Sequence, residues 1–183
     1  MILKAVHRHA DTITNEQNLL LQKWCMPEFC AETKLSLEVM QSGDIAGLVS
    51  LGVTYGAVAI AKESDSYVIK LIHGKQHFDK ENASAEDIIT EVKRIPLSVK
   101  EIYFNNTVKK IPSTEYNQDG PYTFPVPAEM ISLGYSLDGR NFEDIYSYPS
   151  QAGRWVGVKN GLFCCHEGSG EAGEVRVSYF HFV

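Results

Sequence analysis

Residues 131–142 read ISLGYSLDGRNF, and this stretch decides the fold class. Apolar residues alternate with small or polar ones up to Leu137, which is typical of a strand that buries one face. Asp138-Gly139 follows as a turn signal, because glycine accepts a positive φ at no steric cost. The stretch therefore predicts a β-hairpin.

Patterns of the same kind lie on both sides of this hairpin. Thr33–Met40 alternates, with Leu35, Leu37 and Val39 on one face. Turn residues separate these segments at short intervals, which favours an all-β sandwich or jelly roll. Three further segments have strand character: Leu48–Ala61 with a break at Gly52, Tyr67–His73, and Glu174–Val183.

Two segments do not fit this pattern directly. Ser84–Ile95 carries a helix N-cap signal in Ser84 and Asp87 and apolar residues at helical spacing, yet it also alternates like a strand. Pro96 would end a helix there. Asn105–Pro127 is rich in proline and polar residues, so we expect a long loop or an insertion over 105–127.

Composition excludes several classes of protein. The 183 residues are 44% hydrophobic and 22% charged, which predicts one globular domain with a sizeable core. A net charge of -6, from 17 basic and 23 acidic residues, argues against a nucleic-acid partner. No apolar run is long enough to span a membrane, and the first residues lack a signal-peptide pattern, so we expect a soluble chain in the cytoplasm or periplasm.

The four cysteines do not predict a metal site. Cys25 and Cys30 lie five residues apart and Cys164 and Cys165 are neighbours, and neither spacing matches a zinc knuckle. We expect small buried thiols in a reduced chain. A bridge from Cys25 to Cys164, or from Cys30 to Cys165, remains the alternative.

No set of residues predicts catalysis by this chain. A hydrolytic sandwich would need two carboxylates on one strand face, and no Glu-x-Asp-x-x-Glu pattern occurs. The adjacent pairs Glu86-Asp87 and Glu143-Asp144 are expected on the solvated surface.

Three histidine and glycine motifs are also expected to be structural. Cys165 and His166 diverge on a strand, and the spacing of His73 and His77 suits a metal only on a helix. Gly168-Ser169-Gly170 lacks the rest of a phosphate loop and predicts a turn. The sequence therefore predicts no catalytic residue, no cofactor and no metal.

The two tryptophans are the aromatic residues of most interest. Trp24 lies in the apolar run Leu19–Phe29, which favours core packing. Trp155 is flanked by Gly153-Arg154 and Gly157, so a role in packing and a role in binding are both open.

Around Trp155 the chain resembles a known family. Residues 153–164, GRWVGVKNGLFC, are similar to the last-but-one strand of the concanavalin A-like C-terminal domain of family 43 glycoside hydrolases, the β-xylosidases. Further segments resemble that domain in the same order: 19–23, 27–29 and 31–35 its early strands, 43–48 the stretch that follows, 135–139 with Phe142 its hairpin, and 179–180 its final strand.

The resemblance implies a fold and a function. The fold is a concanavalin A-like jelly-roll β-sandwich of two antiparallel sheets, in which Ser84–Ile95 is a strand. Residues 1–183 form one domain, separated from the C-terminus of a larger hydrolase of the xylan 1,4-β-xylosidase or α-arabinofuranosidase type. This domain is non-catalytic; it braces an N-terminal catalytic propeller and lends Trp155, beside Arg154, to the rim of a pocket for xylo- or arabino-oligosaccharide. The isolated domain could then self-associate through its docking face.

The chain also departs from the family. Val175–Phe180 lacks the two aspartates common near the family's end, so a calcium site that uses them is not expected. The alternative function is a freestanding carbohydrate-binding module, with Trp155, Tyr103 or Tyr116 as stacking platforms. A self-contained sandwich hydrolase and a purely structural interaction domain are the remaining readings.

Overall fold

The computed structural model describes the chain in eight segments: residues 1–8, 12–24, 26–78, 83–111, 116–117, 124–125, 129–152 and 157–183. These residues contain no α-helix, and the one helical turn is a 3-10 turn at Ile13–Asn15. Within the described residues, no helix could cross a membrane. The strands are β1 (Ile2–Lys4), β2 (Val6–His7), β3 (Leu19–Lys23), β4 (Phe29–Ser36), β5 (Asp44–Leu51), β6 (Thr54–Lys62), β7 (Ser66–Phe78), β8 (Ala83–Pro96), β9 (Glu101–Lys110), β10 (Tyr116–Asn117), β11 (Phe124–Pro125), β12 (Glu129–Ser136), β13 (Glu143–Pro149), β14 (Lys159–His166) and β15 (Glu174–Phe182).

Two large sheets form the two layers of a sandwich. Sheet A has the strand order β1-β15-β4-β9-β12-β13, and sheet B has the order β2-β14-β5-β6-β7-β8, with β3 also paired to β14. Strands β10 and β11 form a separate two-stranded ladder. The pairing is antiparallel except between β14 and β2. The all-β sandwich expected from the sequence is thereby confirmed.

The predicted hairpin is present as β12 and β13, with a bulge between Leu133 and Gly134. Gly139 has φ of +71°, a conformation that favours glycine. Asp138 Oδ1 accepts hydrogen bonds from the backbone N–H groups of Arg140 and Asn141, both at 2.8 Å. The N–H of Asn141, with that of Arg140, holds the pKa of Asp138 well below its ordinary value.

The main core lies between the sheets, as the alternation of the strands requires. On β4, Phe29, Ala31 and Leu35 point inward and are buried, while Glu32 and Lys34 alternate outward. The opposing residues of sheet B include Leu48, Val58, Ile60, Ile69 and Leu162.

Sheet B is buried on its outer face as well. There a second apolar cluster collects Val49, Ala57, Ala59 and Phe163, and Ile13 of the N-terminal segment packs against it. Strands β5 and β6 are therefore apolar on both faces, which explains their near-continuous hydrophobic sequence.

Several segment boundaries differ from the sequence-based expectations. The strand predicted at Thr33–Met40 begins and ends too late in the sequence. The observed strand β4 runs from Phe29 to Ser36, because its residues pair with β15 and β9. The expected loop at 105–127 is wrong for Asn105–Lys110, which continue β9 between β4 and β12. Ser84–Ile95 belongs to β8, where pairing along β7 overrides the helical pattern.

The cysteine alternatives are also resolved for the described residues. Cys30, Cys164 and Cys165 are free thiols, so neither proposed bridge forms. Cys164 points into the core between the sheets and Cys165 into the outer cluster, as adjacent strand residues must. Burial raises the pKa of the Cys165 thiol to about 12, which makes it unreactive.

The strand directions give the sandwich two different ends. The turn end carries the connections 37–43, 63–65, 97–100, 137–142 and 167–173. The loop end carries the connections 24–28, 52–53, 79–82, 111–128 and 150–158. These two names are used below.

Candidate functional site

The loop end is the candidate site, because it carries the connection in which sequence reasoning placed Trp155 and Arg154 for binding. Trp24 follows β3, and the connection from β13 to β14 contains Trp155 and Arg154. Arg154 and Trp155 themselves lie outside the described residues, so their predicted position at a pocket rim stays a prediction. The residues that flank them, up to Ala152 and from Gly157, are described.

Both flanks of the Trp155 segment meet the short turn between β5 and β6. The N–H of Val53 donates a hydrogen bond to the carbonyl oxygen of Gln151 at 2.7 Å. A methyl group at Gly52 would lie 2.6 Å from that same oxygen and 3.1 Å from Val158 Cγ2. Gln76 fixes this turn from β7, since its Nε2 donates to the Gly52 carbonyl at 2.8 Å. The chain therefore enters and leaves the Trp155 segment at a defined place.

A second set of bonds holds the end of β13. The N–H of Ser150 donates to the Glu129 carbonyl at 2.9 Å, and its hydroxyl donates to Glu129 Oε2 at 2.8 Å. Thr54 Oγ1 donates to the carbonyl of Pro149 at 3.1 Å. The first two bonds hold sheet A together at the loop end, and the bond from Thr54 connects sheet B to it.

Trp24 closes the core at this end. Its Nε1 donates a hydrogen bond to Asn160 Oδ1 at 3.0 Å, and its ring meets Phe29 edge-on at 5.5 Å between centroids. Phe29 in turn contacts Phe182, with ring centroids 5.2 Å apart. The expectation that Trp24 packs against the core is confirmed.

The other aromatic candidates differ from each other. Tyr103 lies on the outer face of sheet A, where Lys34 Nζ is 5.4 Å from its ring centroid. Gly139 packs against the same ring, because a methyl group there would lie 2.8 Å from Tyr103 Cε1. The Tyr103 ring is therefore already in contact with Lys34 and Gly139. Tyr116 is the first residue of β10, and its side chain lies outside the described residues.

His166 does not pair with its neighbour Cys165, as expected. Its Nδ1 lies 2.7 Å from Asp44 Oδ1, and the two side chains are 1% and 0% exposed. Asp44 also accepts hydrogen bonds from the N–H groups of Gln41 and Gly173. The Asp44–His166 pair is thus a buried tie at the turn end.

The expectation of a solvated surface is wrong for Asp87. Its side chain is 3% exposed and lies 3.0 Å from the Arg8 guanidinium, and it accepts hydrogen bonds from Tyr55 Oη at 2.8 Å and from the N–H of Ile13 at 2.8 Å. The partners of Asp87 are distant in sequence, 79 residues in the case of Arg8. The Glu86-Asp87 pair by itself therefore could not indicate that Asp87 is buried.

Arg8 gathers two further carboxylates. Glu16 lies 2.7 Å from Arg8 Nε and Glu167 lies 2.9 Å from Nη1. Burial raises the pKa of Glu16 above its ordinary value, with Arg8 opposing the shift. Arg8 therefore ties the N-terminal segment to sheet B through Asp87 of β8 and Glu167 beside β14.

The described residues contain no group of three or more His, Cys, Asp or Glu side chains that could hold a metal ion. Glu143, the other acidic candidate, is exposed and accepts a hydrogen bond from Tyr135 Oη at 2.6 Å. Among the described residues, Trp24 lies near the end of the Trp155 connection, since its Nε1 is bonded to Asn160 at the start of β14.

Two antiparallel sheets of this order, joined across both ends, define a concanavalin A-like β-sandwich. The chain belongs to the family of β-xylosidase C-terminal concanavalin A-like domains, whose model matches residues 3–183.

Solved structures agree with this fold. One is a GH43 glycoside hydrolase engineered to display both endo-xylanase and exo-arabinofuranosidase activity, at a TM-score of 0.79 and 16% identity over 99% of this chain and 33% of that one. A bifunctional GH43-CE protein of Bacteroides eggerthii matches at 0.69 and 21% over 98% of this chain and 20% of that one. A functionally unknown protein of Saccharomyces cerevisiae matches at 0.55 and 9% over 100% of this chain and 86% of that one.

The chain thus spans a third or less of the two hydrolases it matches. No match was found among curated proteins.

Proposed function

We propose that this chain is a non-catalytic accessory domain of a family 43 glycoside hydrolase of the β-xylosidase or α-arabinofuranosidase type. The observation that carries the proposal is the match of the family model to residues 3–183, in a chain that covers only 33% and 20% of the two hydrolases described above. Its partner is a catalytic propeller domain that precedes it in the same polypeptide.

The loop end is the surface that faces the propeller in this proposal. It carries the two longest connections, 111–128 and 150–158, whereas no connection at the turn end exceeds seven residues. Loops set on a rigid scaffold are where binding residues concentrate. The clamp that Gly52, Val53 and Gln151 form at the base of the Trp155 segment gives that scaffold the rigidity a pocket wall needs.

Trp155, beside Arg154, stands at the rim of the propeller's sugar pocket in this proposal. An indole wall excludes water and limits how many sugar units fit, which favours short xylo- or arabino-oligosaccharides. The ligand is shared between the domains, so the sandwich alone binds it weakly.

The first experiment is an activity assay with 4-nitrophenyl xyloside and arabinofuranoside. It uses this chain alone and the chain together with the sequence encoded upstream of it. Turnover only by the longer protein supports the proposal. Turnover by the chain alone, or an upstream sequence without a propeller, would overturn it.

A matched pair of variants then tests the rim. In the longer protein, Trp155→Ala should raise KM for xylobiose by roughly tenfold, about the value of one aromatic contact. Trp24→Phe removes a tryptophan from the same end, where the indole is engaged with Asn160, and should leave KM unchanged. Equal KM effects in both variants would contradict a special role for Trp155.

A freestanding carbohydrate-binding module is the second candidate. One observation favours it: the fold accounts for 86% of the yeast chain that it matches, so it occurs nearly alone. Titration of the isolated chain with xylohexaose distinguishes the two. Binding that Trp155→Ala abolishes would support the module, and absence of binding would support the accessory domain.

A further inference from the structure

Three polar side chains are buried in the core without complete hydrogen bonding. Ser50 on β5, Asn106 on β9 and Asn160 on β14 are each 0% exposed. Four of their atoms have no hydrogen-bond partner: Ser50 Oγ, Asn160 Nδ2, and both Nδ2 and Oδ1 of Asn106.

Ser50 and Asn160 are neighbours on sheet B. They are direct partners in the pairing of β5 with β14, so their side chains leave the sheet on the same side, about 5 Å apart. That side is the inner one, because Leu48 and Leu162, two residues further along each strand and so on the same face, lie in the core between the sheets.

Asn106 belongs to the facing part of sheet A. Its partner on β12 is Leu133, and a methyl group at Gly56 would lie 3.0 Å from Leu133 Cδ1. Gly56 is in turn the partner of Ser50 in the pairing of β5 with β6. The Asn106–Leu133 pair of sheet A therefore lies against the Ser50–Gly56 pair of sheet B.

A second contact fixes the same alignment from the other side. Phe29 is the partner of Val108, which follows Asn106 by two residues on the same face of β9. The Phe29 ring touches Trp24, whose Nε1 is bonded to Asn160. Asn106 consequently lies across the core from the Ser50–Asn160 pair.

Leaving such atoms unpaired is too costly for a domain of this size. Each buried polar atom without a partner lowers the folding equilibrium constant by roughly tenfold or more. Four of them would cancel much of the stability that a single domain has. The four atoms include both donors and acceptors, which is the mixture that an internal water molecule bonds.

We propose that Ser50, Asn106 and Asn160 form a buried water-binding site that bridges sheet A and sheet B below the loop end. The water completes the hydrogen bonding of Asn160, whose Oδ1 holds Trp24. The site joins the two layers at the place where the Trp155 connection leaves the sandwich. It does not depend on the proposed function.

The direction in which one substitution changes Tm tests this site. Asn106→Leu keeps the number and branching of the side-chain heavy atoms but removes the polar ones, and its effect differs between the two cases. If water bridges the groups, leucine removes the bridge, leaves Ser50 and Asn160 unpaired, and lowers Tm by about 4 °C or more. If the amide is truly unpaired, an apolar side chain relieves its cost and raises Tm, and that result would overturn the proposal.

Asn15→Leu is the matched control, because Asn15 is exposed and its replacement should shift Tm by less than about 2 °C. A second measurement on the unmodified chain covers the case in which Asn106→Leu does not fold. NMR should show a cross-peak between the Asn160 side-chain amide protons and a long-lived water, lost in Ser50→Ala or Asn106→Ala. An Asn160 amide with no water contact contradicts the site.

Discussion

The turn end and the loop end of this sandwich are built on different principles. At the turn end, single side chains organise short connections: Asp44 binds two backbone N–H groups and His166, and Asp138 binds two N–H groups of its own turn. At the loop end, backbone clamps hold the strand ends, and the connections 111–128 and 150–158 are longer than any at the turn end. The comparison teaches that single buried or turn-forming carboxylates hold one end of this fold and backbone contacts hold the other, and the proposed function assigns binding to the second.

The largest effect should come from the turn end. Asp44→Ala removes the partner of His166 and leaves the N–H groups of Gln41 and Gly173 without an acceptor. Breaking such a buried pair costs about 3–5 kcal/mol. Urea denaturation should show this loss, with Asp65→Ala, at an exposed turn residue, as the unaffected control. A loss of unfolding free energy no greater than that of Asp65→Ala would contradict the stated difference between the two ends.

Trp24→Phe should have a smaller effect at the loop end. It deletes the hydrogen bond to Asn160 and part of the ring, for a loss of about 1–2 kcal/mol. The same denaturation assay measures it. A loss as large as that of Asp44→Ala would mean that the loop end carries as much local stability as the turn end.

A pH series tests the charged groups around Arg8 that hold the N-terminal segment on sheet B. The pKa of Glu16 is raised in the folded state, so folding binds a proton between its ordinary pKa and the raised value. This group therefore lowers stability as pH rises through that window, and has no such effect below it. Glu16→Gln should flatten that fall in denaturation midpoints measured from pH 4 upward. A steeper fall in the variant would show that Arg8, not burial, dominates the shift.

The smallest effect on stability should come from Trp155→Ala in this chain, within about 0.5 kcal/mol if the residue serves binding and not packing. Thermal unfolding of the isolated chain checks it, beside Trp24→Phe. A loss comparable with that of Trp24→Phe would assign Trp155 to the core and remove it from the proposed rim.

Local signals in the sequence predicted the fold well. The hairpin of β12 and β13 was visible because its strand alternation and its Asp138-Gly139 turn are both short-range features. The strand assignment of Ser84–Ile95 was not available from its own residues, since pairing with β7 over 13 positions decides it. There the family resemblance supplied what local propensity could not.

The charged groups show the opposite case. Asp87 was assigned to the surface because nothing near it in sequence indicates burial, yet Arg8, Ile13 and Tyr55 reach it from distant parts of the chain. The orphaned amide of Asn106 was equally invisible, because asparagine on a strand gives no sign of what faces it. The sequence alone does not show which distant residues a polar side chain contacts.

Hydrogen–deuterium exchange tests the central claim most directly, by comparing the isolated chain with the longer protein that includes the upstream sequence. The account predicts added protection at the loop end, in the connections 24–28, 52–53, 79–82, 111–128 and 150–158. The turn-end connections 37–43, 63–65, 97–100, 137–142 and 167–173 should exchange equally in both proteins. Protection confined to the turn end, or no difference between the two proteins, would contradict the docking of a catalytic domain on the loop end.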